Sequence, residues 1–380
     1  MKVLFDHQAF QLQTHGGVSR CFWELYKHLP EGVDAEICVK ESNNAYLQLP
    51  NVCPIGYEYD HFITKRHWFG KGHIFEWYNK LRGCDYWHIN KVKSIERLEK
   101  GEYDVFHPTF FDDYFLDHLH GLPFVLTIHD MIPERYPEFF CENDNQILMK
   151  RKLAPLADAI VAVSETTKQD ILRFIDVPEE KIHVVYHGAN FMKPTNDASL
   201  FSFEYILYVG DRFGYKRFKE WLPHLKPFLM KHPNVMVLCT GIAFNDEELQ
   251  LMASLGIADR FCHHFVKDDQ EFYSIYHHAV AFIYTSEYEG FGIPILEAYQ
   301  ANCPVLLNNA SCFPEVAGDA AVFFNMNKEE SDFAEQMERV YAFSDNERES
   351  LLKLQRERLE MYSWEKSARQ LADVYERVCN

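Results

Sequence analysis

The sequence lacks several features that would assign it to common protein classes. It has no run of about 20 apolar residues, the length that a helix needs to cross a bilayer. Near its start only Val3, Leu4 and Phe5 precede Asp6, which is far short of the apolar core of a signal peptide. Its ten cysteines include no Cys-x-x-Cys pair, which argues against a zinc knuckle or a disulfide framework. We therefore expect a reduced, soluble, cytoplasmic protein.

Basic residues are also in the minority. The chain carries 38 lysines and arginines against 57 aspartates and glutamates, for a formal net charge of -19. Because proteins bind nucleic acid largely by neutralising its phosphates, this balance argues against a nucleic-acid partner. Any phosphate site must be local. A length of 380 residues with a hydrophobic fraction of 47% predicts two globular domains of about 150–200 residues each.

Strand-like and helix-like stretches alternate through both halves of the chain, which predicts parallel sheets flanked by helices. The expected strands of the first half are Lys2–Asp6, Ala35–Val39, Val105–His107, Phe124–Ile128, Ala159–Val163 and Val184–Tyr186. Those of the second half are Tyr205–Val209, Val235–Cys239, Arg260–Phe265, Val280–Tyr284, Pro304–Leu307 and Ala321–Phe324. The residues from Val18 to Leu29 predict a helix, because their apolar side chains recur at helical spacing.

A polar stretch from Asn190 to Ser202 is the expected linker between the halves. We therefore predict a first domain over residues 1–192 and a second over residues 203–362. A closing helix is expected over residues 363–380, after a bend at Ser363 and Trp364.

The segment from Thr285 to Ala298 carries the densest set of candidate site residues. Its glycine-rich turn leads into a helix at Pro294, a residue suited to the first helical position because it lacks an N–H. The turn residues whose backbone N–H groups would line an anion or hydroxyl site are Gly290, Phe291, Gly292 and Ile293. Glu289 and Glu297 flank that site. The ordinary alternative is a simple turn followed by a glutamate that stabilises the helix dipole.

Further candidate loops follow expected strands, where ligands of parallel sheets bind. Gly16 and Gly17 precede a helix, although a plain glycine turn explains them equally well. The loop from Gly210 to Lys216 offers Arg212 and Lys216 to a diphosphate, with a solvated basic loop as the alternative.

His129 ends a strand and suits a hydrogen bond to a sugar hydroxyl, although a lone strand-end histidine is more often structural. Asp112 and Asp113 follow another strand and would contact an acceptor, although a solvated turn is the commoner meaning. The cluster at 262–264 lies on an expected strand, so its side chains alternate between faces, and the two histidines at 277–278 occupy adjacent helical positions. Neither arrangement converges on one point, so we predict no metal.

These segments together resemble one family. The matching stretches are Thr285–Glu297 with Pro304-Val305, Tyr208–Lys216, Ile160–Ser164 and Phe313–Gly318. They are similar to the signature of retaining nucleotide-sugar glycosyltransferases of family four. The resemblance implies an α/β fold of GT-B architecture, in which two Rossmann-like domains turn their parallel sheets to an interdomain cleft. The first domain would bind the acceptor and the second the donor, with the closing helix crossing back to the first.

The resemblance also implies roles for individual residues. Catalytic roles would belong to His129, Glu289, Arg212 and Lys216. Donor-binding roles would belong to Gly16, Gly17, Gly210, Arg212, Lys216, Glu289, Gly290, Phe291, Gly292, Ile293 and Glu297. Acceptor-binding roles would belong to His107, Asp112, Asp113 and Asp130. Two positions depart from the usual pattern, since Thr285 replaces a proline and Arg217 stands where glycine or asparagine is common.

The expected reaction is transfer of a hexose with retention of configuration, without metal or cofactor. No covalent nucleophile is evident, so a same-face attack is expected, in which the leaving-group oxygen accepts the proton of the acceptor. The segment from Ile128 to Phe140 is similar to bacterial polysaccharide mannosyltransferases, which favours GDP-mannose over a UDP-sugar. The acceptor would be a saccharide or a lipid-linked saccharide of cell-surface polysaccharide synthesis.

Two alternatives share the fold: a nucleotide-sugar epimerase, and a non-catalytic subunit that binds sugar nucleotides. Residues 61–100 combine nine basic and four acidic residues with several aromatic ones, which fits peripheral contact with the inner face of a membrane. An exposed helical pair with a packed aromatic side explains that composition equally well.

Overall fold

The structure, a computed structural model, describes residues 1–14, 16–48, 86–141, 143–190, 198–326 and 331–379. The chain divides into two compact units. The first comprises Met1–Val163, Lys168–Val185 and Trp364–Asn380, and the second comprises Ser164–Thr167 and Tyr186–Ser363. The assignment of acceptor and donor binding to two domains stays a prediction.

The first unit contains parallel strands, as the alternating pattern predicts. They are β1 (Lys2–Phe5), β2 (Asp34–Ile37), β3 (Val105–His107), β4 (Val125–Ile128), β5 (Ala159–Ala162) and β6 (Ile182–Val184). The strands form two ladders, β2-β1-β3 and β4-β5-β6, and a parallel bridge between Phe106 and Phe124 joins them. Strand β1 therefore lies between β2 and β3, and the strand order reverses between β1 and β3.

Helices cover this sheet and bury its apolar side chains. They are α1 (Gln8–Leu12), α2 (Gly17–His28), α3 (Tyr86–Glu99), α4 (Ile132–Arg135), α5 (Asn145–Leu153) and α6 (Glu165–Phe174). The expected helix over residues 18–29 is α2. Its Cys21, Phe22 and Leu25 are buried in the same core as Val3 and Phe5 of β1, because residues three or four apart share one face of a helix.

The second unit is a single parallel sheet of β7 (Tyr205–Tyr208), β8 (Met236–Thr240), β9 (Phe261–His264), β10 (Phe282–Tyr284), β11 (Val305–Asn308) and β12 (Val322–Phe324). The strand order is β12-β11-β10-β7-β8-β9. Its helices are α7 (Phe218–Lys231), α8 (Asp246–Leu255), α9 (Asp269–His277), α10 (Ile293–Gln300), α11 (Phe313–Ala317), α12 (Phe333–Tyr341) and α13 (Asp345–Leu359). All twelve predicted strands are present, with ends that differ by two residues or fewer.

The last helix, α14 (Trp364–Cys379), belongs to the first unit. It begins where the sequence predicts a bend, and its Trp364, Leu371 and Tyr375 are buried in the core formed with β1 and α2. Roughly 1.5–3 kcal/mol is gained for each large apolar side chain that is fully buried, so this helix is an integral part of the unit.

Among the described residues, no helix combines the length and apolar character that a membrane crossing requires. Most of the basic, aromatic stretch predicted to touch a membrane, residues 61–85, lies outside the described part of the chain. The described remainder is α3. On that helix Arg97 forms an ion pair with Glu36, at 2.6 Å, and Lys93 forms one with Glu96, at 3.4 Å.

Candidate active site

The candidate donor site lies where the strand order of the second unit reverses. Strands β7 and β10 are neighbours although they are not consecutive in the chain. In open parallel sheets, ligands bind beyond the carboxyl ends of the strands at such a point. The loop after β7 is residues 209–217, and the loop after β10 is residues 285–292. These are the two loops that the sequence singled out.

An ion pair joins the two loops. The Lys216 Nζ lies 2.5 Å from the Glu289 Oε1, and both side chains are largely buried. The backbone is fixed beside it, since the Thr285 hydroxyl donates to the Lys216 carbonyl at 2.5 Å and the Glu287 N–H donates to the Tyr215 carbonyl at 2.9 Å. The structure therefore brings Lys216 and Glu289 together, as the sequence predicts.

Glu289 is also held by Ser311, through its backbone, and by Tyr284, through its carboxylate. The Ser311 hydroxyl donates to the Glu289 carbonyl at 2.8 Å and accepts from its N–H at 3.1 Å. Burial, and then the Glu289 carboxylate to which its hydroxyl is hydrogen bonded, raise the pKa of Tyr284 well above its usual value. Tyr284 therefore stays a neutral donor, and Glu289 is held between a cation and a hydroxyl.

The turn that enters α10 has the geometry expected of its glycines. Gly292 has a φ of 88°, and a Cβ there would lie 3.2 Å from the ring of Phe313. Pro294 occupies the start of the helix, where its missing N–H has no cost. The first N–H groups of any helix have no partner within that helix, so this end can receive an anion. Glu297 lies one turn further on and accepts a hydrogen bond from the Tyr276 hydroxyl at 3.3 Å.

Arg212, predicted to hold a diphosphate, is engaged elsewhere. Its Nε lies 2.7 Å from the Glu248 Oε1, and both side chains are only 4% exposed. Its Nη2 donates to the carbonyls of Ile242, at 2.6 Å, and Ala243, at 2.9 Å. In the described part of the chain, Arg212 forms no ion pair with Glu289 or Glu297. Of the two predicted cations, Lys216 pairs with Glu289 and Arg212 pairs with Glu248. The role of Arg212 at a diphosphate stays a prediction.

In the first unit, His107 lies in the core. Its Nδ1 is 2.6 Å from the Tyr375 hydroxyl and its Nε2 is 2.8 Å from the Thr127 hydroxyl. Both ring nitrogens are therefore used inside the protein, which argues against the predicted contact with an acceptor. Burial first, and then the neighbouring His129, lower the pKa of His107 from 6.5 to about 3.

The pKa of His107 leads to a prediction about stability. Because its pKa is depressed in the folded state, the unfolded chain binds the extra proton below pH 6.5, and stability falls as the pH drops from 6.5 toward 3. The loss attributable to this residue is about 2 kcal/mol at pH 5. Urea unfolding at pH 7 and pH 5 measures it, with His107→Asn as the variant that cannot titrate. An equal drop in both proteins would assign the effect to other groups.

The other predicted residues of the first unit lie on its surface or near it. His129 is half-buried, packs edge-on against Phe22 with ring centroids 5.9 Å apart, and burial lowers its pKa to about 4, so it is neutral at pH 7. Asp113 forms an ion pair with Lys152. The remaining two aspartates hold their own turns, Asp112 by accepting from the Tyr114 N–H at 2.9 Å and Asp130 by accepting from the Ile132 N–H at 3.0 Å.

The two glycines before α2 are placed as predicted in sequence, with Gly16 as the cap and Gly17 as the first helical residue. A Cβ on Gly16 would lie 2.2 Å from the Gln13 side-chain amide. That amide also accepts a hydrogen bond from the Ser19 N–H at 3.1 Å. The Gln13 side chain therefore covers this helix end, and it would have to move aside for a larger residue at position 16.

Several residues of the site were missed from the sequence. Tyr276 and Tyr284 hold the two carboxylates, Ser311 holds the backbone of Glu289, and Thr285 holds that of Lys216. The role of Thr285 could have been predicted from the sequence, because its hydroxyl directly follows a strand and can donate to a neighbouring loop. Tyr276 and Ser311 act across 21 and 22 residues, for which no local spacing gives a sign. Tyr284 ends strand β10, five residues before Glu289, and nothing in the sequence marks its hydroxyl as a partner of that carboxylate.

Comparison with models of known protein families identifies the family of this chain. A model described as "Glycosyl transferases group 1" matches residues 199–358, and one described as "Glycosyltransferase Family 4" matches residues 15–191. The chain belongs to the family-four glycosyltransferases. The fold is that of the GT-B enzymes, as the sequence resemblance predicts.

Several curated relatives of this glycosyltransferase are named as mannosyltransferases. It is 26% identical over 209 residues to the O-antigen chain mannosyltransferase RfbU of Salmonella typhimurium, a match that spans 54% of this chain and 58% of the relative. It is 25% identical over 268 residues to O-antigen chain mannosyltransferase B of Escherichia coli, spanning 66% and 69% of the two chains. The first relative is thus matched over less than two thirds of its length.

A solved structure has a similar fold over nearly the whole length. The Anabaena protein HepE, crystallised with UDP and glucose, superposes with a TM-score of 0.74 and 16% identity, over 99% of this chain and 100% of that one. At 16% identity, the comparison shows that this glycosyltransferase and HepE share a fold.

Proposed function

We propose that this glycosyltransferase moves a mannosyl residue from GDP-mannose to a saccharide or lipid-linked saccharide acceptor, with retention of the anomeric configuration and without a metal. The observation that carries the proposal is the Lys216–Glu289 ion pair at the strand-order reversal, beside the N-terminal end of α10. The product would be a segment of a cell-surface polysaccharide. The expected cytoplasmic location and any contact with a membrane stay predictions.

In this proposal each charged group has a distinct task. Lys216 and the backbone N–H groups of residues 290–293 stabilise the diphosphate as it leaves, because preorganised donors in a dry site are worth most where charge develops. Glu289 binds hydroxyls of the donor hexose, and Glu297 binds those of the ribose. His129 accepts or donates a hydrogen bond at the sugar as a neutral ring. Asp112, Asp113 and Asp130 remain the proposed acceptor contacts.

Retention follows from a same-face attack in the proposed mechanism. The acceptor hydroxyl forms a bond to the anomeric carbon on the face from which the diphosphate departs, and the leaving phosphate oxygen accepts its proton. The Lys216 ammonium neutralises the charge that builds on the diphosphate. No covalent bond to Glu289 is required, so this carboxylate acts through its charge and hydrogen bonds.

Two lines of support point to different donors. The mannosyl relatives favour an activated mannose, and so does the similarity of residues 128–140 to bacterial polysaccharide mannosyltransferases. The fold neighbour HepE was instead crystallised with UDP and glucose, and in a second crystal structure with UDP-glucose. GDP-mannose is our choice because the sequence relatives are nearer to this chain than the fold neighbours are.

A donor panel tests the proposal. The full chain is incubated with GDP-mannose, UDP-glucose, UDP-N-acetylglucosamine or UDP-galactose, first alone and then with a pool of cell-envelope lipids and saccharides. Expected results are slow hydrolysis of GDP-mannose alone and faster release of GDP with acceptor, with mannose recovered in the α-configuration. If a UDP-sugar is turned over and GDP-mannose is not, the donor is that UDP-sugar. Conversion of a donor to its epimer, or no reaction with any donor, would reject the transferase.

A further inference from the structure

A fully buried ion pair lies directly behind the segment that follows β4. The Lys150 Nζ of α5 is 2.7 Å from the Glu134 Oε2 of α4, and both side chains are 0% exposed. The same ammonium donates to the Asp130 carbonyl at 3.2 Å. The other carboxylate oxygen of Glu134 is buried and has no hydrogen-bond partner among the described residues. This pair belongs to neither of the sites discussed above.

Stability alone does not explain such a pair. Taking two charges out of water costs several kcal/mol for each ion, and well-packed apolar residues of similar volume serve a core equally well or better. Here the carboxylate is not even fully satisfied. The feature that apolar residues cannot reproduce is the second contact, the hydrogen bond from Lys150 to the Asp130 carbonyl.

That contact fixes the peptide next to His129. The Asp130 side chain accepts from the Ile132 N–H at 3.0 Å, which closes a tight turn between β4 and α4. The far end of α4 is held separately, because Arg135 forms an ion pair with Asp170 of α6 at 2.8 Å. The backbone from residue 129 to residue 135 is thus held at both ends by charged side chains from neighbouring helices.

We propose that Lys150 is a positioning residue for the transfer reaction, which holds the His129–Asp130 backbone in the arrangement that serves the donor sugar. The inference rests on the proposed function, since it assigns a task to the segment that carries His129. Glu134 holds the Lys150 ammonium in place beside the Asp130 carbonyl. Neither residue touches substrate.

The test replaces the pair by apolar residues of similar volume. The double variant Glu134→Leu/Lys150→Met removes both charges together, so it leaves no uncompensated buried ion and is expected to unfold at nearly the urea concentration of the wild type. Its kcat is expected to fall about 10–100-fold, because a small displacement of a group that contacts the reacting sugar has an effect of that size. The KM for GDP-mannose is expected to change much less.

Two further variants separate positioning from general damage. Glu36→Leu/Arg97→Met removes an ion pair of the same unit that does not touch residues 129–135, and it should leave kcat unchanged. Glu134→Gln/Lys150→Gln is neutral but keeps a hydrogen-bond donor for the Asp130 carbonyl, and it should recover part of kcat. A folded apolar double variant with wild-type kcat would overturn the proposal, as would an equal loss in the Glu36/Arg97 variant.

A second readout does not depend on activity. In protein labelled with ¹⁵N at its 19 histidines, the ring signal of His129 is the one that His129→Gln removes. This signal should shift in the apolar double variant and stay in place in the Glu36/Arg97 variant. An unshifted signal would overturn the positioning role. If the wild type transfers no sugar but the His129 signal still shifts in the apolar double variant, the proposed function is rejected. The effect of the Lys150–Glu134 pair on the surroundings of His129 would then still stand.

Discussion

Replacing Glu289 by glutamine is expected to lower kcat about 10²–10³-fold while the protein stays folded. The carboxylate is held between Lys216 and Tyr284, so its charge is preorganised where the donor sugar would gain positive character. Glutamine preserves the shape and one hydrogen-bond acceptor but removes that charge. Initial rates with GDP-mannose and an accepted acceptor, together with urea unfolding, measure the effect.

The matched control is Glu287→Gln in the same loop. Glu287 forms a more exposed ion pair with Arg217, and an exposed pair contributes little to stability. Its loss should leave kcat within about twofold of the wild type. If Glu289→Gln retained comparable activity, the site would have to lie elsewhere. An adduct of the sugar on Glu289, trapped and identified by mass spectrometry, would instead replace the same-face mechanism by a covalent one.

Lys216→Met gives the complementary result in the same assay. Loss of the ammonium should raise the KM for the donor as well as lower kcat, because the diphosphate loses a cation in both the bound and the reacting state. The two substitutions are in direct contact, so Glu289→Gln/Lys216→Met should be less damaging than the sum of the single effects predicts. Strict additivity would show that the ion pair is incidental.

Much of this fold was predictable because its signals are local. A strand such as Ala159–Ala162 is a short apolar run between turns, and helix α2 shows its apolar residues at 3.6-residue spacing. The entry into α10 was also predictable, since Gly292 at positive φ and Pro294 at the helix start are requirements of the backbone itself. Parallel strands place the loops after β7 and β10 at the same edge of the sheet, and the observed strand order makes them neighbours.

The partners of charged side chains were not predictable. Arg212 and Lys216 are four residues apart and looked equivalent, yet one pairs with Glu248 and the other with Glu289. That choice depends on packing across strands, because Phe218 and Phe244 flank the Arg212 guanidinium at 5.4 and 4.8 Å from their ring centroids. His107 was misleading for the same reason. Its bond to Tyr375 spans 268 positions in the chain, which no local pattern reports.

Arg212→Met is expected to lower the free energy of unfolding by about 3–5 kcal/mol, because it leaves the Glu248 carboxylate buried without its cation. Arg212→Met/Glu248→Gln should recover most of this loss, since glutamine removes the charge and keeps an acceptor for the Asn245 N–H that caps α8. Urea unfolding of the two variants measures both effects. A loss below about 1 kcal/mol for the single variant would show that the ion pair is dispensable.

The double variant also decides what Arg212 does for the donor. Its fold is expected to be nearly as stable as the wild type, so a change in nucleotide affinity cannot be attributed to unfolding. If the guanidinium turns from Glu248 to the diphosphate on binding, the Kd for GDP should rise about tenfold or more, in line with a lost charge-assisted hydrogen bond. If its role is to hold the loop after β7 against α8, the Kd should match the wild type. The geometry favours the second result, because the Nε and Nη2 atoms of Arg212 are already bonded within the protein.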